Sequence, residues 1–122
     1  MFDENLINKV WNSAKIEAGY NPDRFRKDAC GAWIIRNQYG RSDTIYGWEI
    51  DHIYPQALGG KDDLFNLRAM QWENNRSKGD DYPVYKAVVR AEGNKNVYED
   101  SQFTVNQDKQ QLLSNKYSIR GK

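Results

Sequence analysis

A single cysteine, Cys30, rules out an intrachain disulfide and any zinc site built from cysteines, so apolar burial and hydrogen bonding must hold this fold together. That burden is within reach of 122 residues, which bury about two-thirds of the surface that their unfolded chain exposes. The chain is 39% hydrophobic and 29% charged, the balance of an ordered globular domain rather than a disordered one. Four Trp and eight Tyr supply large side chains for a modest core. The lone thiol makes a reduced, intracellular setting the simplest expectation. Residues 1–9 contain Asp3 and Glu4 and lack the apolar stretch of a signal peptide. No run of about 18 apolar residues exists for a membrane span, so no membrane partner is expected.

Net charge is only +1, which by itself carries no nucleic-acid signal. Positive charge is instead clustered locally. Arg24, Arg26, Lys27, Arg36 and Arg41 form one group, Arg68, Arg76 and Lys78 a second, and Lys109, Lys116, Arg120 and Lys122 a third. An ordinary solvated surface accounts for such groups as well as a phosphate track does.

Periodicity predicts one α+β domain over residues 1–122. Residues 5–18 read as an amphipathic helix through Leu6, Ile7, Val10, Trp11 and Ala14, with Gly19 placed as its cap. Residues 20–28 are polar and carry a turn signal at Asn21-Pro22-Asp23. Residues 32–35 are a short strand, and residues 46–53 a longer one in which Trp48, Ile50 and His52 share a face opposite Glu49, Asp51 and Ile53. Pro55 and Gly59-Gly60 mark a loop. Residues 67–70 suit a returning strand, and 72–78 a short helix closed by Gly79. Residues 84–91 and 96–105 flank Gly93-Asn94 as a hairpin, although 84–90 also suits a helix. Residues 107–117 suit a closing helix.

The informative stretch lies in the middle. A strand ends in Asp51-His52, the chain's only histidine. Pro55, Gly59-Gly60 and Asp62-Asp63 follow, then Asn66-Leu67, then Asn74-Asn75-Arg76-Ser77-Lys78-Gly79. Taken singly, each residue has an ordinary structural explanation. Together they outline a ββα hairpin around one site at about 46–80, flanked by the N-terminal helix and the C-terminal hairpin and helix.

This arrangement resembles the HNH endonucleases, whose ββα-metal fold carries an Asp-His or His-His pair, a central Asn and a final His or Asn. His52 and Asn66 lie 14 positions apart and Asn66 and Asn75 nine, both fitting that family. Arg26-Lys27-Asp28, Gly31, Tyr39-Gly40 and Gly47-Trp48 also resemble a lead-in of small HNH proteins from bacteria and their phages. The resemblance implies His52 as general base and Asp51 and Asn75 as metal ligands. It implies Asn66 as the catalytic-site residue that holds the hairpin loop by backbone hydrogen bonds. Glu49 falls where some members carry an acidic residue near the site, and an outward-facing strand carboxylate is an equal reading.

The chemistry of phosphodiester hydrolysis agrees with that assignment. The reaction needs a deprotonated water, charge stabilisation at phosphorus and relief for the leaving oxygen. A neutral imidazole suits the first task at physiological pH. Neighbours on a strand start on opposite faces, so a local twist or bulge must let Asp51 and His52 reach one phosphate. Two hard oxygen ligands favour one divalent cation, Mg²⁺ or Mn²⁺, before Zn²⁺. Many family members also bind a structural zinc through CxxC pairs; the pair nearest the last helix would fall here at Gln71 and Asn74, so no structural zinc is expected. Cys30 is left as a buried small apolar residue.

The expected activity is DNA cleavage, with RNA as the alternative substrate. Arg68, Arg76 and Lys78 would neutralise phosphates, and Arg24, Arg26 and Lys27 would extend the track. The expected setting is the cytoplasm of a bacterial or phage-infected cell, and the expected state a monomer or homodimer. The rival reading is a non-cleaving nucleic-acid-binding or phage packaging accessory module that keeps the hairpin. A purely structural metal domain is disfavoured by the scarcity of soft ligands.

Overall fold

The apolar periodicity near the N-terminus stops at Ala14, and the helix stops slightly before it. In the structure, a computed structural model that describes residues 2–119, helix α1 spans Glu4–Asn12. Asp3 caps it by accepting the Leu6 N–H at 2.9 Å, and Ser13 closes it. The expected extension to residue 18 does not form, because the Lys15 backbone pairs with Lys27 instead. Gly19 therefore serves a turn, not a helix cap. Strand β1 (Phe25–Lys27) pairs antiparallel with β2 (Trp33–Ile35). β1 lies in the stretch expected to be irregular, since only Phe25 in it is apolar. What orders it is Arg26, which is buried and donates to the carbonyls of Pro22, Asn12 and Ala14. It thereby satisfies acceptors left open just beyond α1.

Strands β3 (Trp48–His52) and β4 (Leu67–Gln71) form an antiparallel hairpin in unbroken register, from Trp48 opposite Gln71 to His52 opposite Leu67. Helix α2 (Trp72–Lys78) follows β4 directly. Gln71 caps it through the Asn74 N–H, and Gly79 ends it. Strands β5 (Val84–Glu92) and β6 (Lys95–Thr104) form the second long hairpin, and helix α3 (Gln107–Tyr117) closes the chain. Arg120 and Lys122, of the third basic group, lie outside the described residues. Among the described residues the fold is α+β, three two-stranded antiparallel sheets with three α-helices.

Alternation along β3 sorts the layers. Trp48 and Ile50 join Leu67 and Ala69 against Ile7, Val10 and Trp11 of α1, with the Trp11 and Trp48 rings 5.4 Å apart. On the other side Met70 and Ile53 pack with Cys30, Tyr85, Ala87, Val105 and Leu113. The β3–β4 hairpin is thus the partition between two apolar clusters. Burial first, and Asp28 nearby second, push the Cys30 thiol up to about 12. With 5% exposure it is the inert apolar side chain expected.

A buried polar network joins these layers at Gln71 and Asn74, the two positions where the resemblance would have placed a zinc-binding pair. Gln71 and Asn74 are fully buried, and Asp28 is 1% exposed. The Asp28 carboxylate accepts from the Cys30, Ala32 and Gln71 N–H groups and from Asn74 Nδ2. Burial raises its carboxyl above the usual range, against the pull of those hydrogen bonds. Asn74 Oδ1 accepts from both Val88 and Val89 N–H, and its Nδ2 also donates to Val89 O. The register of β5–β6 shifts at this point, between Ala87 and Val89, so Asn74 satisfies the groups that the bulge takes out of the ladder.

Candidate active site

The strand alternation that sorts the core also divides the work of β3. Glu49 and Asp51 face α2, whereas His52 faces the α1 side, its ring 6.0 Å from that of Phe2. Asp51 and His52 nevertheless line one open cleft of about 190 Å³ with Asn75, Pro55, Gln56 and Asp80. No bulge brings them together, contrary to one of the two routes expected, because the β3–β4 register is continuous. His52 is the last residue of β3, and the cleft wraps around that end, where the chain turns through Pro55 and Gln56.

Asn66 fixes this turn. It is fully buried. Its Oδ1 accepts the Tyr54 N–H at 2.7 Å, and its Nδ2 donates to the carbonyls of Tyr54 and Lys61, both at 3.1 Å. Gly59 takes φ +116°, and a Cβ on Gly60 would sit 1.7 Å from Tyr54 O. Both glycines are therefore required for the loop to fold back over the strand end.

Asp51 is 4% exposed and carries two cations. Arg68 Nε donates to its Oδ2 at 2.9 Å, and Lys78 Nζ lies 3.3 Å from its Oδ1. Lys78 also donates to His52 O at 3.1 Å, so one ammonium ties down both members of the Asp-His pair. Burial lowers the Lys78 pKa despite Asp51 beside it. For Arg68 burial also works against the charge, but Asp51 prevails and the pKa is raised.

These positions change what the basic residues can do. The Lys78 side chain has no exposure and the Arg68 side chain only 17%, so both brace Asp51 from beneath instead of presenting charge to a phosphate. Arg76, 57% exposed, is the accessible member of the three. Arg26 is buried on backbone carbonyls, and Lys27 pairs with Glu17 beside the Trp33 ring. Neither extends a track.

Glu49 has a defined task that sequence reasoning left open. Its Oε1 accepts from Asn75 Nδ2 at 2.9 Å and its Oε2 from Arg76 at 3.0 Å. With the amide nitrogen thus engaged, the oxygen is the Asn75 atom that a cation would use. Spacing and residue type alone assign no role to Asp62. Its Oδ1 lies 2.7 Å from His52 Nε2. No local periodicity links residues ten apart across a loop, so only the fold reveals this pair.

The donor chemistry suits one hard divalent cation. Asp51 retains acceptor sites beyond the two in use, since a carboxylate offers about four. Asn75 lines the same cleft and would offer its amide oxygen. Among the described residues no group of three or more His, Cys, Asp and Glu is gathered as a metal site, so these two oxygens would need water or phosphate oxygens to complete a shell. Asp80 at the rim and Glu49 behind Asn75 offset the positive charge of Arg68 and Lys78.

Residues 38–84, which contain this entire hairpin and α2, match the family model of the HNH endonucleases. The likeness to that family lies in this central segment. No curated protein and no solved structure matches it. The HNH match points to nuclease activity in general, to a nucleic-acid substrate, and to the divalent ion that such nucleases generally use. α1, the β1–β2 pair, α3 and nearly all of the β5–β6 hairpin lie outside the HNH segment, yet they form both walls against which it packs. Among the described residues no helix is long and apolar enough to cross a membrane.

Proposed function

We propose that the chain is a metal-dependent endonuclease that hydrolyses DNA phosphodiester bonds, with His52 as general base. The observation that carries this reading is the meeting of Asp51, His52 and Asn75 on one cleft, across a loop that Asn66 holds shut. Asp51 and Asn75 would hold one divalent cation, Mg²⁺ or Mn²⁺, which when bound supplies charge stabilisation at the phosphoryl and leaving oxygens. His52 accepts a proton from the attacking water, the new P–O bond forms, and the bond to the 3′ oxygen breaks. The products then carry 5′-phosphate and 3′-hydroxyl ends. Arg76 offers an exposed cation to a neighbouring phosphate, a contact that positions a strand without reading its sequence.

One observation favours the rival reading of a non-cleaving nucleic-acid-binding or packaging accessory module: both Asp51 oxygens already have a cationic partner. Incubating supercoiled plasmid with Mg²⁺ or Mn²⁺, with and without chelator, separates the two. Nicking that needs the metal and disappears in His52→Ala is the expected result. Salt-sensitive DNA binding without nicking under any metal supports the module instead. Cleavage that survives in His52→Ala overturns the base assignment.

A further inference from the structure

Resting on the reading of His52 as the base, we propose that Asp62 is its positioning residue, fixing the ring tautomer so that Nδ1 is the nitrogen that takes the proton from water. The Asp62 carboxylate lies 2.7 Å from His52 Nε2. A carboxylate only accepts, so the ring proton must sit on Nε2. A neutral imidazole has one ring proton, which leaves the Nδ1 lone pair bare. Which ring nitrogen is free is ordinarily decided by the hydrogen bond that the other makes, and here Asp62 makes it.

The loop is built to hold that carboxylate in place. Tyr117, near the end of α3, uses a single hydroxyl to secure both neighbours of Asp62. It donates to Asp63 Oδ2 at 2.9 Å and accepts the Lys61 N–H at 3.3 Å. Its ring packs on Tyr54 and Phe65, with centroids 5.8 and 5.6 Å away. Asn66 grips the Lys61 carbonyl from the other side. With residues 61 and 63 tied, Asp62 is the side chain that the loop projects toward His52. Tyr117 lies outside the HNH segment, so α3 reaches the base through two hydrogen-bonded steps.

Asp62 is 59% exposed, and an exposed pair adds little to stability, so its removal leaves the fold intact. The full chain labelled with ¹⁵N-histidine gives the imidazole signals of His52 alone. In metal-free protein at a pH where the ring is neutral, the wild type should show a protonated Nε2 and a bare Nδ1. Asp62→Ala should move the two signals toward each other as the tautomers mix. Its plasmid cleavage should lose roughly 10- to 100-fold in kcat with KM unchanged. Tyr117→Phe should shift both readouts in the same direction by less. A wild-type ring protonated on Nδ1, or an Asp62→Ala ring with the wild-type pattern, overturns the proposal. So does a rise in kcat in Asp62→Ala, which would make Asp62 a screen over the base. If the wild type cuts no nucleic acid, the reading of His52 as a base fails, and the ¹⁵N pattern still decides whether Asp62 sets the tautomer.

Discussion

Asp51→Ala is expected to destabilise the protein by about 3–5 kcal/mol as well as abolish cleavage, because it strands two buried cations. Lys78 would keep only a carbonyl for its ammonium, and Arg68 would lose its one carboxylate. Arg68 Nη2 is already buried without a partner, so nothing nearby takes up the lost contact. His52→Ala should abolish cleavage with a stability change within about 1 kcal/mol, since no buried charge depends on the ring. Two adjacent residues therefore give the same catalytic loss, but only Asp51→Ala shifts the urea denaturation curve substantially. Asp51→Asn keeps the side-chain shape and removes the charge, so it should fall between them in stability. An Asp51→Ala protein as stable as the wild type would show that the two cations find water or other acceptors, and the bracing role would be lost.

Asn74→Ala should have the other large effect on stability, at least about 3 kcal/mol by equilibrium urea unfolding. Each buried polar group left without a partner costs about 1–3 kcal/mol, and the substitution orphans the N–H groups of Val88 and Val89 together with one donor to Asp28. Asn74→Asp sharpens the test. It retains the acceptor for both N–H groups but sets a second carboxylate against buried Asp28, whose own carboxyl is already raised by burial. Neither substitution places a group in the cleft. Folded protein that survives at low temperature should still cleave, and a loss of cleavage in fully folded Asn74→Ala would show that the buried network and the cleft are coupled.

Much of this architecture is legible in the residues. The helix over 72–78 and the closing helix over 107–117 coincide with α2 and α3, because each has a capping residue and a clear stop. The β5–β6 hairpin follows from Gly93-Asn94, and the helical alternative for residues 84–90 gives way to a strand. Local signals fail where long-range contacts decide. β1 exists because Arg26 is pulled inward by carbonyls from two other segments, and α1 ends early because Lys15 finds a strand partner. At the site, spacing brings Asp51, His52, Asn66 and Asn75 into view. It gives no hint that Lys78 and Arg68 turn inward to Asp51, since a basic residue in the last turn of a helix reads the same whether it faces solvent or a buried carboxylate. Asp62 and Glu49 gain their partners only when loop, strand and helix meet.

The partition formed by β3 and β4 carries a consequence for how such a chain can change over time. Each face of the hairpin leans on a different set of neighbours, one mainly from the first dozen residues and one mainly from the final third of the chain. Slack introduced on either side is felt in the same two strands that end at the base. Tuning of the reaction is therefore open to positions that carry no part of the motif. Two chains with identical motifs could differ widely in working temperature or speed through their outer segments alone.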